Sequence, residues 1–405
     1  MPRILFCTDT YPPQLNGVSV VTAAMVAGLQ ARGWDCGVLA PSYPLVARRV
    51  LWEPPAVERF DVPSVAMPTY DEVRLAWPRR RQVAGVFDHF RPDVVHCATE
   101  WLVGRAGLRE AARRSLPACT TYHTDFSRYC HAYGVPYLRP AVQAWIRRFH
   151  ERAHRTLVPS RAAQCDLAGL QVRRTHVWGG GVDTEQFHPR HHSMATRQRF
   201  GVGRSFTFLH VGRLAPEKSV AVVLAAFAHL RSTMPALSLR LLVAGSGPSE
   251  RSLRGLSCAG VTFLGAVDRT NELPALYASV DGFVTASTTE TLGLVVLEAM
   301  ASGLPVVACR AGGIADCLVP SHNGLEFSAG DVEGCAAAMA RLATDPSLQE
   351  RLRTGARRTA ESWSATRELD RLDALLRQSI SMPERAPVRR PRLAAEPVSS
   401  AVDTL

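Results

Sequence analysis

The stretch Phe206-Thr207-Phe208-Leu209-His210-Val211-Gly212-Arg213-Leu214-Ala215-Pro216-Glu217-Lys218 decides the fold class. Its short apolar run, Phe206–Val211, reads as a strand; Gly212 ends it, and Pro216 to Lys218 stand where a helix starts. Arg213 follows the glycine at once, so a guanidinium fork and an ammonium point charge converge on the positive end of a helix. That combination suits a diphosphate. Lys218 is also the only lysine of the chain; the other 46 of its 47 basic residues are arginine.

The same rhythm runs outward in both directions. Leu239–Ala244, Val261–Leu264, Gly282–Thr285 and Pro305–Ala308 read as further strands with helical patterns between them. Upstream, strands are expected at Arg3–Cys7, Cys36–Ala40, Val94–Cys97, Ala118–Tyr122 and Thr156–Val158. Helices are expected at Val18–Arg32, Trp77–His89, Arg105–Arg114 and Pro140–His154. Strand–helix alternation predicts parallel sheets covered on both faces. Two such halves, joined near residues 188–204, predict an α/β protein of two doubly wound domains, 1–190 and 191–360. Ligands then sit at the carboxyl ends of the strands, in the cleft between domains. Residues 381–405, rich in Pro, Arg, Ala and Ser without periodicity, read as a disordered tail.

Composition narrows the class. Of 405 residues, 46% are hydrophobic and 20% charged, which excludes a fibrous or wholly disordered chain. No apolar run approaches the roughly 18 residues of a membrane-spanning helix, and the start reads as a first strand, not a signal peptide. Ten cysteines without any CxxC pair point to reduced thiols in a cytoplasmic setting, with neither a disulfide framework nor a zinc site. The net charge of +11 is uneven, with +8 on residues 1–190. Such a field suits an anionic membrane surface or a phosphorylated substrate. Nucleic acid is disfavoured, because the arginines pair along amphipathic segments and no nucleic-acid module signature is present.

Two further loops carry candidate chemistry. In Thr10-Tyr11-Pro12-Pro13-Gln14-Leu15-Asn16-Gly17-Val18-Ser19, Gly17 opens the first helix; it either lets a ligand approach the helix N–H groups or simply makes a strand-to-helix turn. In Thr289-Glu290-Thr291-Leu292-Gly293-Leu294-Val295-Val296-Leu297-Glu298-Ala299-Met300, two carboxylates lie eight residues apart. Glu298 sits among Leu, Val, Ala and Met, where an unpaired carboxylate is costly, so recognition of vicinal hydroxyls explains it better than packing does. Glu290 would then hold sugar hydroxyls and Glu298 a ribose.

These motifs, together with Ala299-Met300-Ala301-Ser302-Gly303-Leu304-Pro305-Val306-Val307-Ala308, resemble the retaining glycosyltransferases of family GT4 over about residues 1–370. The resemblance implies the GT-B fold, two Rossmann-like doubly wound domains facing across a cleft, the first taking the acceptor and the second the nucleotide sugar. It implies a carboxy-terminal helix crossing back to the first domain, for which Trp363–Ile380 within 361–380 is the candidate. It assigns the donor diphosphate to Arg213 and Lys218, the transferred sugar to Glu290, and the ribose to Glu298. Donor contacts are implied at Asn16, Gly17, Gly212, Thr291, Leu292 and Gly293. Tyr122-His123-Thr124-Asp125 resembles the family's reaction-centre segment, with His123 near the sugar. Thr124 and Asp125 fall on the acceptor side, where Arg128 is either an acceptor-phosphate ligand or a surface arginine.

Where relatives carry Asn or Arg before Gly-Val-Asp, this chain has Gly180, and its first loop has one glycine where many relatives have two. Asn16-Gly17-Val18, Tyr122 to Asp125 and Gly181-Val182-Asp183-Thr184 most resemble α-mannosyltransferases that use GDP-mannose on glycolipids. The resemblance thus implies a hexosyltransferase moving mannose to a lipid-linked or phosphorylated acceptor, with no DxD-type metal site. The basic first domain suits such an acceptor: Arg79-Arg80-Arg81 and a helical set Arg147, Arg148, Arg152 and Arg155 either hold an anionic surface, placing the chain peripherally on the cytosolic membrane face, or form a solvated face. The alternatives are a UDP-sugar transferase acting on a soluble sugar or sugar phosphate, and a sugar-nucleotide epimerase of the same architecture. His96 reads as strand-end packing; His131, His191 and His192 read as bystanders.

Overall fold

The computed structural model describes residues 1–14, 16–43, 56–67 and 70–381. The first half contributes β1 (Arg3–Cys7), β2 (Asp35–Pro41), β3 (Glu58–Val62), the antiparallel hairpin β4 (Ser64–Met67) and β5 (Tyr70–Ala76), β6 (Val94–Cys97), β7 (Ala118–Thr121), β8 (Arg155–Val158) and β9 (Thr175–Val177). The second contributes β10 (Phe206–Val211), β11 (Leu239–Ala244), β12 (Val261–Gly265), β13 (Gly282–Thr285), β14 (Val306–Cys309) and β15 (Gly324–Phe327). Each half closes into one parallel sheet, ordered β3-β2-β1-β6-β7-β8-β9 and β12-β11-β10-β13-β14-β15. The fold is therefore GT-B-like, two Rossmann-type sheets in one chain.

The strand order reverses at β1 and at β10. β10 lies between β11 and β13, with Leu209 opposite both Leu242 and Phe283. Consecutive connections leave such a strand toward opposite sides, which opens a crevice beyond its carboxyl end. The loops after β10 and β13 thus come together there, although they are about seventy residues apart in sequence. The faces of the central strands are fully buried: Phe208 and Leu209 on β10, and Phe283 and Val284 on β13, expose nothing.

Several elements lie outside the sequence expectations: β3, β9, β15 and the hairpin. All are short and peripheral, and an edge strand such as Gly324–Phe327, with Glu326 outward, shows almost no periodicity to read. Three expectations need correction. The helix expected to reach His154 ends at His150, so Arg152 lies in the turn beyond it. The helix expected from Trp77 begins at Arg80, because Trp77 and Pro78 finish the hairpin and Trp77 stays exposed. Arg155 is no part of a helical basic face; it starts β8, is buried, and reaches Gln378 Oε1 at 3.3 Å.

The halves are joined twice. One crossover runs through residues 178–189; the other, at 362–365, leads into the helix Ala365–Ile380. The crossovers are bonded side by side, Val182 N to Trp363 O at 2.9 Å and Ala365 N to Val182 O at 2.9 Å. The helix then lies on the first sheet's core, where Leu372 and Leu376 are fully buried with Ile4, Phe6 and Trp34. Trp34 Nε1 donates to Asp373 Oδ1 and Trp178 Nε1 to the Glu368 carbonyl, both at 2.6 Å. The tail read as disordered lies, from residue 382, outside the described residues. Among the described residues no helix is long and apolar enough to cross a membrane.

Candidate active site

The crevice beyond β10 gathers the charged residues of the quoted stretch. Lys218 closes a single 3-10 turn, Pro216–Lys218, and its Nζ donates to Glu290 Oε1 at 2.5 Å. Burial opposes both charges, but each partner outweighs it for the other. The ammonium is held above its ordinary value and the carboxyl below. Arg213 is ion-paired with Glu217, a carboxylate with no side-chain exposure, while keeping about a third of its own surface in the cleft. The chain thus holds two cations poised beside their carboxylates at the end of one strand.

Glycines let the loops meet. The carbonyl of Gly212 would lie 1.9 Å from a Cβ on Gly245, and the carbonyl of Glu290 lies 2.3 Å from where Gly312 would carry one. Gly313 N donates to that same Glu290 carbonyl at 2.6 Å, so a glycine pair after β14 seats the acidic loop. Gly293, at φ +83°, ends the loop and starts the helix Leu294–Ala301 without a side-chain cap. That leaves the helix's positive end turned to the crevice, an anion-seeking feature. Thr291 and Leu292 lie in this turn, Leu292 nearly buried.

Glu298, in the middle of that helix, is completely buried. It is ion-paired with Arg269 from the loop after β12, and Tyr277 Oη donates to its Oε2 at 3.3 Å. In the first domain, Asn16 caps the helix Gly17–Gln30 by accepting from Ser19 N at 2.9 Å, and its amide donates to Thr10 Oγ1 at 2.8 Å. Gly17 faces open space: a Cβ there would meet nothing within 4 Å among the described residues, so a ligand has room to approach it.

His123 lies across the cleft. Its carbonyl accepts from Thr291 Oγ1 at 2.6 Å, while its Nε2 is buried and meets no hydrogen-bond partner among the described residues. Thr124 adjoins it in the same connection, between β7 and the helix Phe126–Ala132. Asp125 is spent on that helix: it accepts from Ser127 N and Oγ and pairs with Arg128 Nε at 3.0 Å. Arg128 also pairs with Asp166 at 3.0 Å and donates to the Thr288 carbonyl at 3.2 Å. Neither side chain points an unengaged charge at an acceptor; Arg128 instead ties the first domain to the loop bearing Glu290.

Sequence reasoning missed Glu217, Tyr129, Tyr133, Arg269 and the Gly312-Gly313 pair. Tyr133 Oη donates to Glu217 Oε2 at 3.1 Å. Burial, opposed by Lys218 and reinforced by Glu217 and Glu290, pushes the Tyr129 hydroxyl up to about 12, so both tyrosines face the cation cluster from the opposite domain. Only the doublet Gly312-Gly313 left a readable signal; Tyr129 and Tyr133 reach the cluster only once the two halves face each other, whereas Glu217 meets Arg213 and Arg269 meets Glu298 within the second half. Among the described residues no three His, Cys, Asp or Glu side chains form a metal-holding group.

Three buried histidines give the fold a pH signature. Burial lowers His96 to about 3, His123 to about 4 and His210 to about 4, from 6.5. A group whose folded value is depressed contributes stability that is fully present above its unfolded value and lost as pH falls toward the folded one. Asp9 and Asp166, raised chiefly by burial, act in the opposite direction, while His176 and His188, lowered chiefly by burial, add to the histidine effect. The urea midpoint should therefore fall steeply between pH 6.5 and 4; a flat profile across that window would show that these imidazoles are not buried neutral.

Both halves of the chain match glycosyltransferase families. Residues 15–186 match the family model described as Glycosyltransferase Family 4, and residues 205–345 match Glycosyl transferases group 1. A GDP-mannose-dependent alpha-mannosyltransferase of Mycobacterium tuberculosis is 34% identical over 331 residues, 82% of this chain and 85% of the relative. An alpha-monoglucosyldiacylglycerol synthase of Streptococcus pneumoniae is 28% identical over 320 residues, 76% of this chain and 70% of the relative. In fold, sucrose-phosphate synthase from Thermosynechococcus elongatus superposes with a TM-score of 0.78 at 20% identity, covering 94% of this chain and 99% of that one.

Proposed function

The chain belongs to glycosyltransferase family 4, and on that premise we propose that it moves mannose from GDP-mannose, with retention of anomeric configuration, to a hydroxyl of a glycolipid. The observation that carries the reading is the Lys218–Glu290 pair beside Arg213, at the carboxyl ends of adjacent strands and opposite His123. As the sugar leaves, negative charge grows on the departing diphosphate. Arg213, Lys218 and the uncapped start of Leu294–Ala301 are preorganised to meet it. Glu290 takes sugar hydroxyls, Glu298 the ribose, and Gly17 yields the space that the diphosphate needs from the first domain. The diphosphate itself accepts the proton of the incoming hydroxyl. The donor and the kind of acceptor come to this reading from the mycobacterial and pneumococcal relatives.

A lipid acceptor fits one surface of the first domain. Trp101 and Leu102, and Tyr137 and Leu138, are large apolar side chains left exposed on either side of the helix Arg139–His150. That helix turns Arg139, Arg147 and Arg148 outward, and Arg105 stacks on Trp145 with its Cζ 4.4 Å from the ring. Trp101 packs on Phe126, at the start of the helix that follows His123. Aromatic and aliphatic tips among arginines suit an anionic bilayer face, at about 1 kcal/mol per charge near the surface.

The test is a donor panel. With a glycolipid acceptor, GDP-mannose should exceed UDP-glucose by at least about 100-fold in kcat/KM, and the product should be α-linked by NMR. Preference for the uridine donor would overturn the donor assignment. Cosedimentation with phosphatidylglycerol vesicles but not phosphatidylcholine vesicles, lost in Tyr137→Ser/Leu138→Ser, tests the surface; equal binding to both would remove it.

A further inference from the structure

Beyond the residues implied by the family resemblance, the loop after β12 brings Arg269 against Glu298, and we propose that Arg269 is the positioning residue that makes Glu298 a reader of the donor's ribose. The inference rests on the assignment of Glu298 to the ribose made above.

A carboxylate with no exposure is not sustained as an anion without a counter-charge and donors. Arg269 supplies the charge: its guanidinium contacts Glu298 Oε1, while Tyr277 Oη holds Oε2. The contact is one of charge without an aligned hydrogen bond, because Oε1 has no hydrogen-bond partner of acceptable geometry among the described residues. A buried acceptor left without an aligned donor is one that a ligand hydroxyl can complete. A ribose hydroxyl is such a donor.

The arginine is held in place from three directions. Its Cζ lies 5.2 Å over the ring of Phe187, a fully buried residue of the interdomain crossover. Gln186 Nε2 donates to its carbonyl at 3.2 Å. The adjoining turn is fixed by Asp268, whose Oδ1 accepts from Thr270 N at 2.8 Å and Asn271 N at 2.9 Å. A guanidinium carries five donors in a fixed plane. Its side chain is 15% exposed, so one edge serves Glu298 while part of the group stays accessible. Arg269 thereby sets the carboxylate's rotamer and contributes a fork beside the hydroxyls that it reads.

The experiment compares binding of GDP with 2′,3′-dideoxy-GDP by calorimetry, with inorganic pyrophosphate as a probe of the Arg213 and Lys218 subsite. The native protein should prefer GDP by about 10- to 100-fold, the range of hydrogen bonds to a charged group. Glu298→Gln should bring that ratio close to one; if it does not, the ribose assignment fails, and the role of Arg269 with it. Arg269→Met should collapse the ratio equally while pyrophosphate affinity stays within about twofold. A retained ratio in Arg269→Met, with the ratio lost in Glu298→Gln, would overturn the role of Arg269 alone. Should Arg269→Met fail to fold, Arg269→Lys decides. It keeps the charge but not the planar fork, so a ratio reduced several-fold supports positioning, and an unchanged one refutes it.

Discussion

Lys218→Ala is expected to lower kcat by about 100- to 1000-fold, the usual consequence of removing one preorganised group aimed at developing negative charge. The magnitude follows from placement. The ammonium is mostly buried, its charge is secured by Glu290 2.5 Å away, and its loss leaves Arg213 and the helix start to meet the developing charge. If Lys218 acted on the ground-state diphosphate as strongly as on the departing one, KM would rise and kcat would hold. A fall in kcat with KM within about threefold is the result that the reading requires. The substitution also strands Glu290, whose carboxylate loses its counter-charge in a largely buried place, and part of any loss would come from that. Lys218→Met/Glu290→Gln separates the two effects by removing both charges. Its stability should recover to near native, while its turnover stays at or below that of Lys218→Ala. Recovery of turnover in the double variant would sink the assigned role, since the lysine would then serve only to neutralise its neighbour.

How much of this was legible in the chain depends on the range of the information. A central parallel strand is buried on both faces, so Phe206–Val211 is a mainly apolar run, broken by Thr207 and His210, that needs no partner to be recognised. Gly212 and Lys218 could be placed at its end by local geometry. An edge strand such as β15 is only four residues long, with Glu326 alone exposed, and its pairing with β14 is decided by distant packing. The site divides in the same way. The cost of burying Glu298 was readable from its neighbours, but the ion that relieves it, Arg269, comes from another strand's loop. Asp125 and Arg128 show the converse. The sequence could offer them only as acceptor-side residues near His123; their partners at the helix start and in the opposite domain become visible in the fold. Arg155 misled because an arginine among arginines carries no mark of burial; only the pairing of β7 with β8 reveals it.

The second large effect concerns the joint on which the cleft depends. Gly181 has φ +70°, and a Cβ there would lie 2.7 Å from both N and Cα of Ala365. Valine at this position therefore meets two penalties. The left-handed conformation costs a β-branched residue roughly 1–2 kcal/mol or more. The clash is with backbone, so it cannot be relieved by a rotamer change. Ala365 N is bonded to the Val182 carbonyl and Val182 N to the Trp363 carbonyl, and moving either strand of the joint forfeits both bonds, about 1 kcal/mol each. Gly181→Val should therefore cost more than about 3 kcal/mol in urea unfolding. Gly201→Ala supplies the control, because φ there is +64° with nothing within 4 Å. It carries the conformational penalty without the clash and should cost only about 1 kcal/mol. If the two variants lost equal stability, the paired crossovers would not be rigid. The second crossover feeds Leu372 and Leu376 into the first domain's core, so displacing Ala365 also shifts the domain bearing His123 relative to the one bearing Glu290. Gly181→Val should accordingly lose activity at temperatures where it is still folded, whereas Gly201→Ala should not.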